Sequence, residues 1–152
     1  LEVVQQKHLD AWSVTADAAY AVALFNLESF AQTITVNPRR YDGRPGAWDL
    51  IDASRYTLPN GNAFASSAAL VLAPEFMTRF RSRIAPSVFF GIPDRGTLVA
   101  WSADFDKRKE IYARARQDFE RRPHPISPEL YVSSAAGLRL ATPSERADHG
   151  IK

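Results

Sequence analysis

The sequence predicts an α+β fold: a mostly antiparallel sheet built from hairpins, with helices packed on it. Three observations predict it. Residues 86–101 read PSVFFGIPDRGTLVAW, two β-branched and aromatic runs (88–92 and 97–101) around a short polar break. Residues 130–133 and 138–141 form a second such pair around Ala136-Gly137. Apolar residues at steps of three and four mark helices before, between and after these pairs. The first pair is expected to be the central hairpin of the sheet, with Phe89, Ile92, Leu98 and Val99 in the core. Pro93 and Gly96 punctuate its turn, and Gly96 offers the left-handed conformation that a type I turn with a bulge uses.

Residues 2–32 read as one long helix. Leu9, Trp12, Ala16, Ala19, Ala23, Leu27 and Phe30 share a face, and from Ala18 the other faces turn apolar as well. A helix apolar nearly all round is buried, so its second half is expected under the sheet. Asn37-Pro38 ends it. Residues 39–46, with three arginines, read as an exposed loop. Short extended stretches are expected at 48–51 and 55–58. Pro59-Asn60-Gly61-Asn62 is a turn signal, with a return strand at 63–66. Residues 68–72 lean to helix. Pro74 suits a first helical position, with Phe76, Met77, Phe80 and Ile84 on the buried face and Pro86 closing the helix. Asp104 or Asp106 is expected to cap a helix running to about Arg121, buried through Ile111, Tyr112, Ala115 and Phe119. Glu110 with Arg114 and Asp118 with Arg122 have the favoured i,i+4 order. The polar tail from Thr142 is expected to fray.

A chain of 152 residues is most simply one domain, 1–152, long enough for a well-buried core. It begins at Leu1 rather than Met, which leaves open a preceding segment and a place as the C-terminal part of a longer protein. It has no cysteine, which excludes disulfides, thiolate metal sites and a thiol nucleophile, and fits a reducing compartment. No apolar run is long enough to span a bilayer, and no secretory signal is visible. The net charge is +2 and the pI about 9.1, too weak a bias to argue nucleic-acid binding.

No motif here announces a reaction. His8, His124 and His149 are far apart and lack ligand spacing, so surface or capping roles are expected and no metal or cofactor. Ser66 and Ser67 stand where a nucleophile elbow could lie, but without G-x-S-x-G helix capping is the simpler role. Gly43 to Gly46 (GRPG) is no phosphate loop. Asp49 with Asp52 and Asp104 with Asp106 are conceivable carboxylate pairs, without a catalytic partner in sequence. Asn26, inside an apolar helical turn, is expected to be a buried tie to backbone from another segment, or else a ligand contact. Asp94 and Arg95 at the tip of the central hairpin are either turn residues or a binding site, with Arg95 as the anion-binding fork.

The segments ALFNLE (23–28), FASSAALVL (64–72) and FFGIPDRGTLVAW (89–101) resemble the YtpQ-like bacterial proteins, a family of unassigned function, over about residues 20–105. The most specific piece is I-P-x-R-x-T-L at 92–98. The family pattern commonly places an acid after the arginine, where this chain has Gly96. The resemblance implies a cytoplasmic bacterial protein of α+β fold and no reaction. The functional expectation is a non-enzymatic module that binds a protein or a small anionic ligand, with Arg95, Asp94, Asn26 and Ser66 as candidate ligand contacts. The alternative is a hydrolase-like enzyme with Arg95 holding an anionic substrate. Nucleic-acid binding through Arg39, Arg40, Arg44 and Arg55 ranks last. An exposed apolar patch or open sheet edge favours the module, and a concave site of converging polar groups favours the enzyme.

Overall fold

The computed structural model describes residues 4–34 and 66–151 in full, and the backbone alone at 39–40 and 47–49. The expectations at 50–65, the GRPG loop and Asp52 lie outside the described residues, as do the side chains of Arg39, Arg40, Asp49 and Arg44.

The fold is α+β, as the hairpins predict. Helices α1 (Gln6–Trp12) and α2 (Ala16–Thr33) precede strands β1 (Arg39–Arg40) and β2 (Ala47–Asp49). A 3₁₀ segment (Ser67–Leu72), α3 (Pro74–Ile84), β3 (Val88–Gly91) and β4 (Val99–Ser102) follow. Helix α4 (Arg108–Arg121), β5 (Tyr131–Ser134), β6 (Gly137–Leu140) and α5 (Pro143–Asp148) complete the chain. The sheet runs β1-β2-β4-β3-β5-β6, antiparallel throughout. The central hairpin pairs Phe89 with Trp101 and Phe90 with Ala100.

Strand alternation sends neighbouring side chains to opposite faces, and both faces are covered. Phe90, Ile92, Leu98 and Ala100 pack with Leu70, Phe76, Met77 and Phe80. Phe89, Val99, Trp101 and Val132 pack with Ile111, Tyr112 and Ala115. The expected core residues Phe89, Ile92, Leu98 and Val99 are all buried. Helix α4 comes so close to the sheet that a Cβ on Gly91 would lie 3.3 Å from that of Ala115.

Several expectations are corrected. The first helix is two helices. Ser13 turns left-handed (φ 56°), and the Thr15 hydroxyl accepts from the Ala18 N–H at 3.2 Å, starting α2 afresh. Only Ala31 of α2 is buried, so its second half does not lie under the sheet as a core helix. Its C-terminal end packs on α3, where Arg79 donates to the carbonyls of Ala31 and Ile34, a cation at a helix C-terminus. Neither Asp104 nor Asp106 caps α4; its N-cap is Lys107, which pairs with Glu110 at 3.6 Å. Gly96 takes no positive φ; the left-handed glycine of a hairpin is Gly137, at φ 107° in the β5–β6 turn. The tail does not fray from Thr142. Thr142 and Glu145 form a capping box, Pro143 opens α5, and Arg139 grips both Glu145 oxygens at 2.7 Å. That grip holds the Glu145 carboxyl down to about 2.

Candidate functional site

The turn after β3 is built from residues 92–98 and is no open tip. The Asp94 carboxylate accepts from the Gly96 N–H at 2.8 Å and, through its other oxygen, from Arg122 at 3.4 Å. This is an Asx turn, the shaping role expected of an aspartate here. Arg122 also donates to Thr97 at 3.0 Å and pairs with Asp118 at 3.4 Å, the expected i,i+4 partner. The Arg95 N–H donates to the His124 carbonyl, and its own carbonyl accepts from Ala68, both at 3.2 Å. His124 holds an αL backbone (φ 61°), an uncommon state for a non-glycine, between Pro123 and Pro125.

Three of the four residues singled out from sequence therefore come together. Asp94 and Arg95 meet the start of the 3₁₀ segment, where Ser66 stands half-buried. The Ser66 hydroxyl makes no cap; its carbonyl closes the turn instead, accepting from Ala69 at 2.9 Å. Asn26 is elsewhere, on α2, and exposed. The buried tie expected of it is corrected: its side chain is exposed and makes no hydrogen bond to another segment among the described residues.

The larger functional signal is the exposed apolar surface of α1 and the N-terminal half of α2. Trp12 (58%), Tyr20 (58%), Val22 (59%) and Phe25 (71%) are exposed. Tyr20 lies on the same side of α2 as the half-buried Leu24 and Leu27 and the buried Ala31. Val22 and Phe25 lie on the opposite side. The helix is thus apolar on two sides, and from Ala16 to Asn26 only Ala19 and Leu24 are half-buried. Both Glu28 carboxylate oxygens, one turn before the packed C-terminal end, are shielded from water without a hydrogen-bond partner among the described residues. Such an unpartnered buried group costs stability and calls for a functional reason.

His149 takes the capping role expected of a histidine here, as the C-cap of α5; what sequence reasoning missed is its tie to Trp101. His149 is buried, accepts from the Trp101 indole N–H at 2.9 Å through Nε2, and bonds the Glu145 carbonyl at 2.7 Å through Nδ1. Its ring lies 4.6 Å from that of Phe89. Burial pushes its pKa below the ordinary histidine value. The capping box TPSE in front of it was the available signal.

Among the described residues no three His, Asp or Glu side chains are grouped to hold a metal, and no helix is long and apolar enough to cross a membrane. No known protein family, curated protein or solved structure matches the chain. The YtpQ-like resemblance thus rests on its own three motifs.

Proposed function

We propose that this chain is a non-enzymatic binding module whose partner is a protein, held on the apolar surface of α1 and the N-terminal half of α2. Phe25 carries the reading: it is the most exposed large apolar side chain described, on a helix apolar on two sides. A helix of that kind is buried in its working state. The mode is helix-in-groove recognition. The partner's groove is apolar with a basic rim, because residues 8–38 contain no lysine or arginine but hold the exposed Asp10 and Asp17. An anionic bilayer surface selects the opposite charge. A second copy would set Asp10 and Asp17 against their own kind. The resemblance to the YtpQ-like family adds a bacterial, cytoplasmic setting. A second reading gives the module a small anionic ligand at Arg95, whose guanidinium has no carboxylate partner among the described residues.

Photo-crosslinking from a benzoyl-phenylalanine placed at position 25 tests the protein reading. We expect one discrete heterologous adduct, lost when Val22→Asp is added and weakened by salt. Adducts only with a second copy, or an adduct indifferent to Val22→Asp, refute it.

A further inference from the structure

A cavity of about 270 Å³ lies between α3 and the β5–β6 hairpin, away from both α2 and the Asp94 turn. Its walls are apolar through Val71, Pro74, Met77 and Leu138, and its polar end is Arg81, Thr78 and Ser133. Arg81 donates to the Ser133 hydroxyl at 2.8 Å and to the Thr78 hydroxyl at 3.1 Å. It has no carboxylate partner among the described residues, so the cavity holds an uncompensated, half-buried cation. Thr78 has spent its own proton on the Pro74 carbonyl at 3.0 Å. Ser133 has not: it is 2% exposed, accepts from Arg81, and its hydroxyl proton has no acceptor among the described residues. Nature seldom leaves a buried donor idle. Arg81 likewise keeps N–H groups beyond the two it uses.

We propose that this cavity binds a short-chain aliphatic monocarboxylate. The carboxylate accepts from Arg81 and from the free Ser133 hydroxyl, a charge-assisted arrangement. The chain lies along Val71, Met77 and Leu138. At about 30 Å³ per water-sized group the volume admits roughly nine, so a ligand of about eight non-hydrogen atoms fits. The volume lies just below the roughly 300–1,000 Å³ of sites for drug-sized ligands, which excludes long fatty acids in full. Lone phosphate would satisfy Arg81 and leave the apolar wall uncovered. This site is independent of the α1–α2 surface and stands or falls without it.

Isothermal titration with hexanoate, hexanol and hexylamine is the test. One equivalent of hexanoate should bind, and the alcohol and amine should bind far more weakly or not at all. Arg81→Gln should weaken hexanoate about tenfold or more, and Ser133→Ala by less. Arg81 also ties α3 to β5, so a second variant leaves it intact: Ala135→Trp places a ring at the exposed mouth and should abolish binding with the fold unchanged by circular dichroism. Equal affinity for hexanol, undiminished binding in Ala135→Trp, or no heat with hexanoate overturns the assignment.

Discussion

Replacing His149 by leucine should destabilise the protein at neutral pH and remove a pH dependence at the same time. The neutral ring closes a chain of bonds that fastens α5 to the sheet, from Trp101 through the imidazole to the Glu145 carbonyl. Leucine keeps most of the apolar contact with Phe89 but leaves the fully buried Trp101 N–H without an acceptor. An abandoned buried donor costs about 1–3 kcal/mol. In a chain of this length each kcal/mol moves the melting temperature about 2–4 °C, so a fall of roughly 2–12 °C is expected. In the wild type the pKa of His149 is lowered on folding, chiefly by burial, with Arg108 adding to it. The unfolded chain therefore takes up the proton first. The contribution of His149 is complete above the unfolded pKa of about 6.5 and is lost as pH falls below that toward the lower folded value. Protonated, Nε2 would face the indole donor with a second donor. Urea unfolding followed by tryptophan fluorescence, between pH 7.5 and 5, reads both effects (about 6.5 being the pivot). His149→Gln, which offers Trp101 an amide oxygen, should recover part of the stability and none of the pH dependence. A leucine variant as stable as wild type, or one with the same slope against pH, refutes the bond network as a determinant.

Asp94→Ala should cost about 1–3 kcal/mol by equilibrium unfolding, because the Gly96 N–H and one Arg122 contact lose their acceptor. Arg95→Ala should change stability by less than about 0.5 kcal/mol, since its side chain makes no hydrogen bond or ion pair among the described residues; a large loss would make Arg95 structural. Gly91→Val should cost about 1–3 kcal/mol through overpacking against Ala115, and Ala115→Gly should relieve part of it in a double-mutant cycle. Acid unfolding should show a further loss as pH falls from 4.5 toward about 2, where Glu145 gives up the contribution its depressed pKa supplies, and Glu145→Gln should remove it.

The hairpins were legible because two-residue alternation and turn residues are local signals. Val88 to Gly91 and Val99 to Ser102 lie where their β-branched and aromatic runs placed them, and the α3 face of Phe76, Met77 and Phe80 followed from helical spacing. What failed was burial inferred from composition. The apolar run at 18–27 reads as core, and only the three-dimensional structure shows that none of its residues is fully buried. The break at Ser13 was outweighed by the apolar periodicity on either side, although Thr15 and Asp17 form an ordinary helix start. The tail failed for the opposite reason: its polar composition hid a capping box. The pairings of Asp94 with Arg122 and of Trp101 with His149 join residues 28 and 48 positions apart, which no spacing rule reaches. Arg95 and Asp94 could be chosen from the turn, but not the fact that the turn is pinned by His124 and Ala68.

Hydrogen exchange along α2 in the isolated chain tests the central claim most directly. The claim is that the N-terminal half of this helix acquires its packing from a partner. Amides at 19–26 should then exchange much faster than those at 30–34, which Arg79 and the contacts of Ala31 hold to α3. Uniformly slow exchange from 19 to 34 would mean that the chain already packs the whole helix by itself, and would contradict the account.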